Sequence, residues 1–237
     1  MTPVVSFAGR CAWRLAAAGL LFAGLAHGQE APVGRALVVK VLPQHLVMSG
    51  WWLEVEHRAT PRARQGFTLT PQLYAGPVGQ SDGLTSSSQA RPPDLAGARV
   101  RGAGLHVQHR RYLRPAATAY AAGPYASYGL TFQCFNVSHE ALGWQELRDP
   151  TGLSYFEYTT ARHTEAITRY GATAQVGYQL PLTPTRFSLD VYVGAGWRTG
   201  QSRKNGAEVA SRYATGPSDY GHQGFYFPAG FKLGVAL

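Results

Sequence analysis

The stretch Arg169–Leu180, RYGATAQVGYQL, reads with a period of two. Successive side chains of a strand point to opposite faces. Tyr170, Ala172, Ala174, Val176, Tyr178 and Leu180 therefore share one face. Arg169, Gly171, Thr173, Gln175, Gly177 and Gln179 share the other. The first face is apolar, and the second is small or hydrogen-bonding. The next stretch repeats the pattern. Phe187, Leu189, Val191, Val193, Ala195 and Trp197 lie opposite Ser188, Asp190, Tyr192, Gly194, Gly196 and Arg198.

Working outward, the same alternation recurs. Ala126, Tyr128, Leu130, Phe132 and Cys134 oppose Ser127, Gly129, Thr131 and Gln133. Phe225, Phe227, Ala229, Phe231, Leu233, Val235 and Leu237 form one apolar row. Leu37, Val39 and Val41 oppose Val38, Lys40 and Leu42, and Trp51, Leu53 and Val55 oppose Trp52, Glu54 and Glu56. The segment 98–113 alternates through Leu105 and Val107, then the pattern degrades at His109-Arg110-Arg111. The periodicity predicts eight strands, near 35–42, 47–58, 66–77, 98–113, 121–136, 166–180, 186–200 and 222–237.

The connectors alternate in length. Those at 59–65, 114–120 and 181–185 are short and carry Pro, while those at 78–97, 137–165 and 201–221 are long and polar. Short turns on one side and long loops on the other are the habit of transmembrane barrels. The first outer link, Pro43-Gln44-His45, is unusually short for that scheme. The polar face carries Gly, Ser, Thr and Gln with single charges, which suits a narrow barrel interior better than a solvated sheet surface. The expected fold is an all-β, closed antiparallel up-and-down transmembrane β-barrel of about eight strands. A soluble periplasmic lipocalin-like barrel, with its apolar rows turned inward, is the competing arrangement.

Composition agrees. Charged residues are 15% of the chain, against about 25% in an average soluble domain. At the N-terminus, Arg10 and Arg14 precede the apolar run Leu15–Ala26, and Ala26-His27-Gly28 offers small residues for cleavage. This reads as a signal peptide over residues 1–28, leaving a barrel domain over residues 29–237. The apolar run of 12 residues is short of the roughly 20 that a spanning helix needs. Removal of Arg10 and Arg14 leaves the mature chain at a formal charge of +7. Its one remaining cysteine, Cys134, offers no partner for a cysteine metal site.

Several of these segments resemble a known family. Lys40-Val41-Leu42-Pro43 followed by Trp52-Leu53-Glu54-Val55-Glu56 is one such pattern. Gly104-Leu105-His106 through Arg111-Tyr112-Leu113 to Gly123-Pro124-Tyr125 is another. Val176-Gly177-Tyr178-Gln179 with Phe187-Ser188-Leu189-Asp190 and Gly194-Ala195-Gly196 is the third. Together they resemble the small porin-like outer-membrane β-barrels of Bacteroidota, most of which have no assigned function. The resemblance implies location in the outer membrane of a Gram-negative cell and delivery by the barrel-insertion machinery. Such barrels often end in an aromatic residue, whereas this chain ends in Leu237.

The inward face carries the charges that matter. Lys40, Glu54, Asp190 and Lys232 fall at similar distances from the inner ends of four neighbouring strands, with Glu56 just below. They are expected to form one lumen cluster, because an unpaired charge in a tight interior is costly. Eight strands leave an interior that side chains just fill, so the cluster is read as a structural plug rather than an ion path. The link 137–165 holds Trp144, Tyr155, Phe156 and Tyr158, candidates for a surface-binding patch. That link could extend the fifth and sixth strands as a hairpin turning at Asp149-Pro150-Thr151-Gly152.

The functional expectation is a non-enzymatic outer-membrane barrel with a structural or surface-binding role. Its partners are outer-membrane lipid and lipopolysaccharide, whose phosphates suit Arg148, Arg162, Arg203, Lys204 and Arg212. A lipid-modifying enzyme is the alternative, and His106, His109, His139, His163 and Ser127 are its available groups. They form no spaced nucleophile–base motif. No cofactor, metal or nucleic-acid partner is expected.

Overall fold

The computed structural model describes residues 37–59, 63–78, 97–113, 122–182, 186–205 and 220–237. The expected signal segment, the cleavage site and Arg212 lie outside them. The described strands are β1 (Leu37–Val41), β2 (Gly50–Arg58), β3 (Gln65–Pro77), β4 (Arg99–Tyr112) and β5 (Gly123–Arg148). They continue with β6 (Ser154–Leu182), β7 (Phe187–Asn205), β8 (Gly224–Tyr226) and β9 (Ala229–Ala236). Each pairs antiparallel with its chain neighbour from β1 to β7. Both β8 and β9 pair with β7, and β9 pairs with β1, which closes the ring. Pro228 separates β8 from β9; it has no N–H to give a ladder, so the two short strands are halves of one broken stave. The barrel therefore has eight staves.

The wall is inside out relative to a water-soluble barrel. Leu130 is 69% exposed, Val176 58%, Phe187 54% and Phe225 73%. Lys40, Glu56, Arg110 and Asp190 are each 0% exposed. Apolar rows outside and charges inside fit hydrocarbon, because closing the sheet pairs the backbone groups that lipid cannot satisfy. The lipocalin-like alternative is thereby overturned, since its apolar rows would have to face inward.

Three features of the strands differ from the sequence reading. First, Val47 and Met48 open the expected second strand, but Pro43–Met48 forms a 3-10 turn. Ser49 follows it with φ 52°, in the left-handed region, and β2 begins at Gly50. Second, the last stave is broken rather than continuous. Third, β4 runs regularly through Tyr112. His109 and Arg111 keep their outward parity and Arg110 its inward parity, although all three are polar.

The link 137–165 is a hairpin. β5 has 26 residues and β6 has 29. At ~3.3 Å per residue, β5 is about 86 Å long. A tilted crossing needs only ~9–11 residues, so the upper halves of both strands project beyond the apolar wall.

Candidate functional site

Parity places every second residue of each stave in the lumen, and three layers result. The layer nearest the termini is ionic. Lys40 pairs across β1–β2 with Glu54, and Asp190 pairs across β7–β9 with Lys232. The Lys40 Nζ donates to Glu56 Oε2 at 2.8 Å, Asp190 Oδ2 at 2.8 Å and Gln179 Oε1 at 2.9 Å, and lies 3.5 Å from Glu54 Oε1. Lys232 donates to Glu54 Oε2. The five charged residues singled out in the sequence thus lie in one network.

Arg110 stands in that network, and the sequence reading does not single it out. Its Nη1 donates to Glu56 Oε2 at 2.9 Å and Asp190 Oδ2 at 3.0 Å, and its Nη2 to Glu54 Oε1 at 3.0 Å. The guanidinium lies 4.0 Å from the centre of the Tyr125 ring. Tyr112 and Tyr125 complete the carboxylate shells, donating to Glu56 Oε1 at 2.6 Å and Asp190 Oδ1 at 2.5 Å. Arg58 approaches from below, with Nε 3.8 Å from Glu56 Oε1. The signal that could have found Arg110 is parity alone. Gly104, His106, Gln108, Arg110 and Tyr112 continue one inward row without interruption.

Inward glycines make room for this chemistry. A Cβ on Gly177 would sit 2.5 Å from the Tyr125 hydroxyl, and one on Gly234 2.8 Å from Lys40 Cγ. The bulky groups of one stave occupy the space that small residues leave on the next.

The middle layer is polar and holds a cavity of about 290 Å³. Gln133 Nε2 donates to Gln72 Oε1 at 2.6 Å, Arg169 Nε to Gln133 Oε1 at 2.8 Å, and Gln108 Nε2 to Gln175 Oε1 at 3.1 Å. His106 faces this cavity, whereas His109 points outward between the rings of Phe67 and Tyr128.

The third layer is apolar, which the sequence reading of a polar interior did not anticipate. Tyr74, Val100, Phe135, Val137, Ile167 and Tyr220 are buried together. The Phe135 ring centre lies 4.9 Å from that of Tyr74 and 5.1 Å from that of Tyr220. Apolar packing closes the outer end of the lumen, with the buried Arg169 guanidinium 5.1 Å from the centre of the Phe135 ring.

Above the wall, the β5–β6 hairpin turns on Asp149. Its Oδ1 accepts from the Thr151 amide at 2.9 Å, the Thr151 hydroxyl at 2.6 Å and the Leu153 amide at 2.9 Å. The Thr151 hydroxyl and the Leu153 amide hold the Asp149 carboxyl below the ordinary carboxylate range. Trp144, Tyr155, Phe156 and Tyr158 are all exposed. Trp144 pairs with Tyr158, their ring centres 5.3 Å apart, and Phe156 shares their face. Tyr155 lies on the opposite face, so the four do not form a single patch.

A closed barrel with an apolar outer wall and a filled interior defines the class of an outer-membrane β-barrel protein. No protein-family model and no curated protein matches the chain. Among solved structures it is similar to a major outer membrane protein from Thermus thermophilus, at 14% identity and a TM-score of 0.46, over 86% of this chain and 98% of that one. It is also similar to Acinetobacter baumannii CarO, at 13% identity and a TM-score of 0.36, over 88% and 99% of the two chains. For Acinetobacter baumannii CarO2 the values are 12% and 0.35, over 89% and 100%. The fold rests on the strand register rather than on these likenesses, and none of them supports the Bacteroidota resemblance.

Proposed function

We propose that the chain is a non-enzymatic outer-membrane barrel, closed to solutes, that acts as a structural element and through its outer surface. The carrying observation is the double seal of the lumen. The ionic layer spans it from β1, β2, β4, β7 and β9, and the apolar layer caps it above. The β5–β6 hairpin supports a surface role, because it lifts exposed Trp144, Phe156 and Tyr158 onto one face. Exposed Arg148, Arg162, Arg203 and Lys204 suit the phosphates of lipopolysaccharide. Arg101 and Arg203 lie on one register row through Asn136 and Ala166, on the same outward parity as the apolar wall. Insertion by the barrel-insertion machinery belongs to the same reading. Kinship with the Bacteroidota barrels is supported by the hairpin motifs alone.

The test is electrical. The mature barrel, reconstituted in a planar bilayer, should show no steady conductance. A stable open channel would overturn the reading.

A further inference from the structure

The wall has a seam between β1 and the last stave. β1 ends at Val41, and its partners on β9 run only from Leu233 to Ala236. Above that point, β9 from Ala229 to Lys232 and the whole of β8 have no strand paired on that side among the described residues. The 3-10 turn Pro43–Met48 lies there instead. Its Gln44 Nε2 donates to the Tyr192 hydroxyl at 3.0 Å, and a Cβ on Gly230 would meet the same nitrogen at 2.5 Å. Side-chain contacts, rather than a backbone ladder, hold this part of the wall.

The middle-layer cavity reaches both lips of the seam. Leu42, His45 and Met48 line it on one side, and Phe227, Pro228 and Ala229 on the other. Three polar atoms on lining residues are buried without a hydrogen-bond partner among the described residues. They are Nε2 of His45, Oγ1 of Thr70 and Nε2 of His106. Thr70 is 1% exposed and His106 8%. The two are register partners across β3 and β4, on the inward parity. The His45 ring stacks on Trp52, with centres 3.5 Å apart, so the turn at the seam also supplies one of the three atoms. The charges bordering the cavity are engaged elsewhere. Glu54 is bridged by Arg110 and Lys232. Arg169 donates to Gln133 and to the Tyr220 carbonyl, and Arg198 lies over the Tyr226 ring. The open positions are therefore neutral ones.

We propose that this cavity seats the hydroxyl head of a neutral single-chain amphiphile, of the monoalkylglycerol or monoacylglycerol class, taken up from the membrane through the seam. The three unpartnered atoms set the head chemistry. An imidazole nitrogen donates or accepts according to its tautomer, and a hydroxyl can answer either. A carboxylate only accepts, and an ammonium only donates. Water would satisfy the three atoms but would leave Leu42, Met48 and the Phe227–Ala229 lip wet, which an alkyl tail would cover. A volume of about 290 Å³ stands at the small end of ligand pockets, so the head enters and the tail passes out between the lips. The inference does not depend on the hairpin or on the surface role, and a barrel sealed along its axis can still open sideways.

The experiment uses the mature barrel in phosphatidylcholine nanodiscs with Trp52 as its sole tryptophan, through Trp51→Phe, Trp144→Phe and Trp197→Phe. Trp52 lines the cavity. The probe is 1-O-(2-bromooctyl)glycerol, whose bromine sits beside the head and quenches on contact. Saturable quenching is expected, reversed by octylglycerol and not by octanoate or by glycerol at equal concentration. His106→Leu should weaken it at least tenfold. Thr70→Val, nearly equal in volume, should weaken it several-fold with unchanged heat-modifiable mobility, and Thr70→Ser should restore it. If His106→Leu fails to fold, the Thr70 pair carries the test. Absent quenching, or quenching that rises linearly and ignores the Thr70 substitutions, would overturn the proposal in favour of water or simple bilayer partitioning. Equal competition by octanoate would overturn the hydroxyl head, and equal competition by glycerol would overturn the path for the tail.

Discussion

Lys40 and Arg110 reach the same carboxylates from different staves. Each contacts Glu54, Glu56 and Asp190. Removing one leaves buried acids under-compensated, which costs about 3–5 kcal/mol for a broken buried pair. Arg110→Met should therefore lower the unfolding free energy of the barrel in lipid vesicles by that order, measured by urea titration with tryptophan fluorescence. A change within error would remove Arg110 from the network's energetics. Gly177→Ala should destabilise by about 1–3 kcal/mol, the usual cost of overpacking, because its Cβ would meet the Tyr125 ring. The same substitution in a Tyr125→Leu background should cost distinctly less. The charged five were legible in the sequence because parity and depth both pointed to them. Arg110 was not, because polar His109 and Arg111 beside it hid the apolar half of the alternation. At the lower rim of the wall a polar residue can face outward without penalty, so hydrophobicity there no longer reports direction.

At the scale of elements, the turn of the long hairpin depends on a charge. The Asp149 carboxyl is held below its ordinary value in the folded turn. A depressed folded value means the contribution is present above the unfolded carboxylate pKa and is lost as pH falls through the folded one. The Thr151 and Leu153 amide resonances should therefore move together on acidification below the normal carboxylate range. Asp149→Asn should abolish that titration, and an unchanged titration in the variant would assign it elsewhere. Asp149-Pro150-Thr151-Gly152 was readable as a turn because Asp, Pro and Gly each have a place in tight turns. The 3-10 turn was not readable. Leu46-Val47-Met48 has the composition of a strand, and nothing in it announces the left-handed Ser49 that separates the turn from β2. The break at Pro228 was hidden by the unbroken apolar row from Phe225 to Leu237, since a proline can sit in a strand wherever no ladder N–H is required.

The whole molecule was the most legible scale. Period two fixed which residues face lipid, and connector lengths fixed the even strand number, since both follow from sheet geometry alone. The layering of the lumen was not legible, because Tyr74, Phe135 and Ile167 could as well have lined a polar interior singly. A barrel closed by hydrogen bonds on every stave should resist detergent when cold. Purified unboiled protein should migrate differently from boiled protein on a denaturing gel, and recovery in a detergent-free soluble fraction would contradict the membrane assignment.

The ion network also constrains how the molecule is made. Lys40 and Asp190 are 150 residues apart, and Glu54 and Lys232 are 178. A ribbon of β1 to β4 already holds Lys40 and Arg110 against Glu54 and Glu56, and β7 with β9 holds Asp190 against Lys232. The contacts of Lys40 with Asp190 and of Lys232 with Glu54 join these two balanced halves, and they form only when β9 meets β1. Zipping the first stave to the last is therefore the same event that merges two separate ion clusters into one.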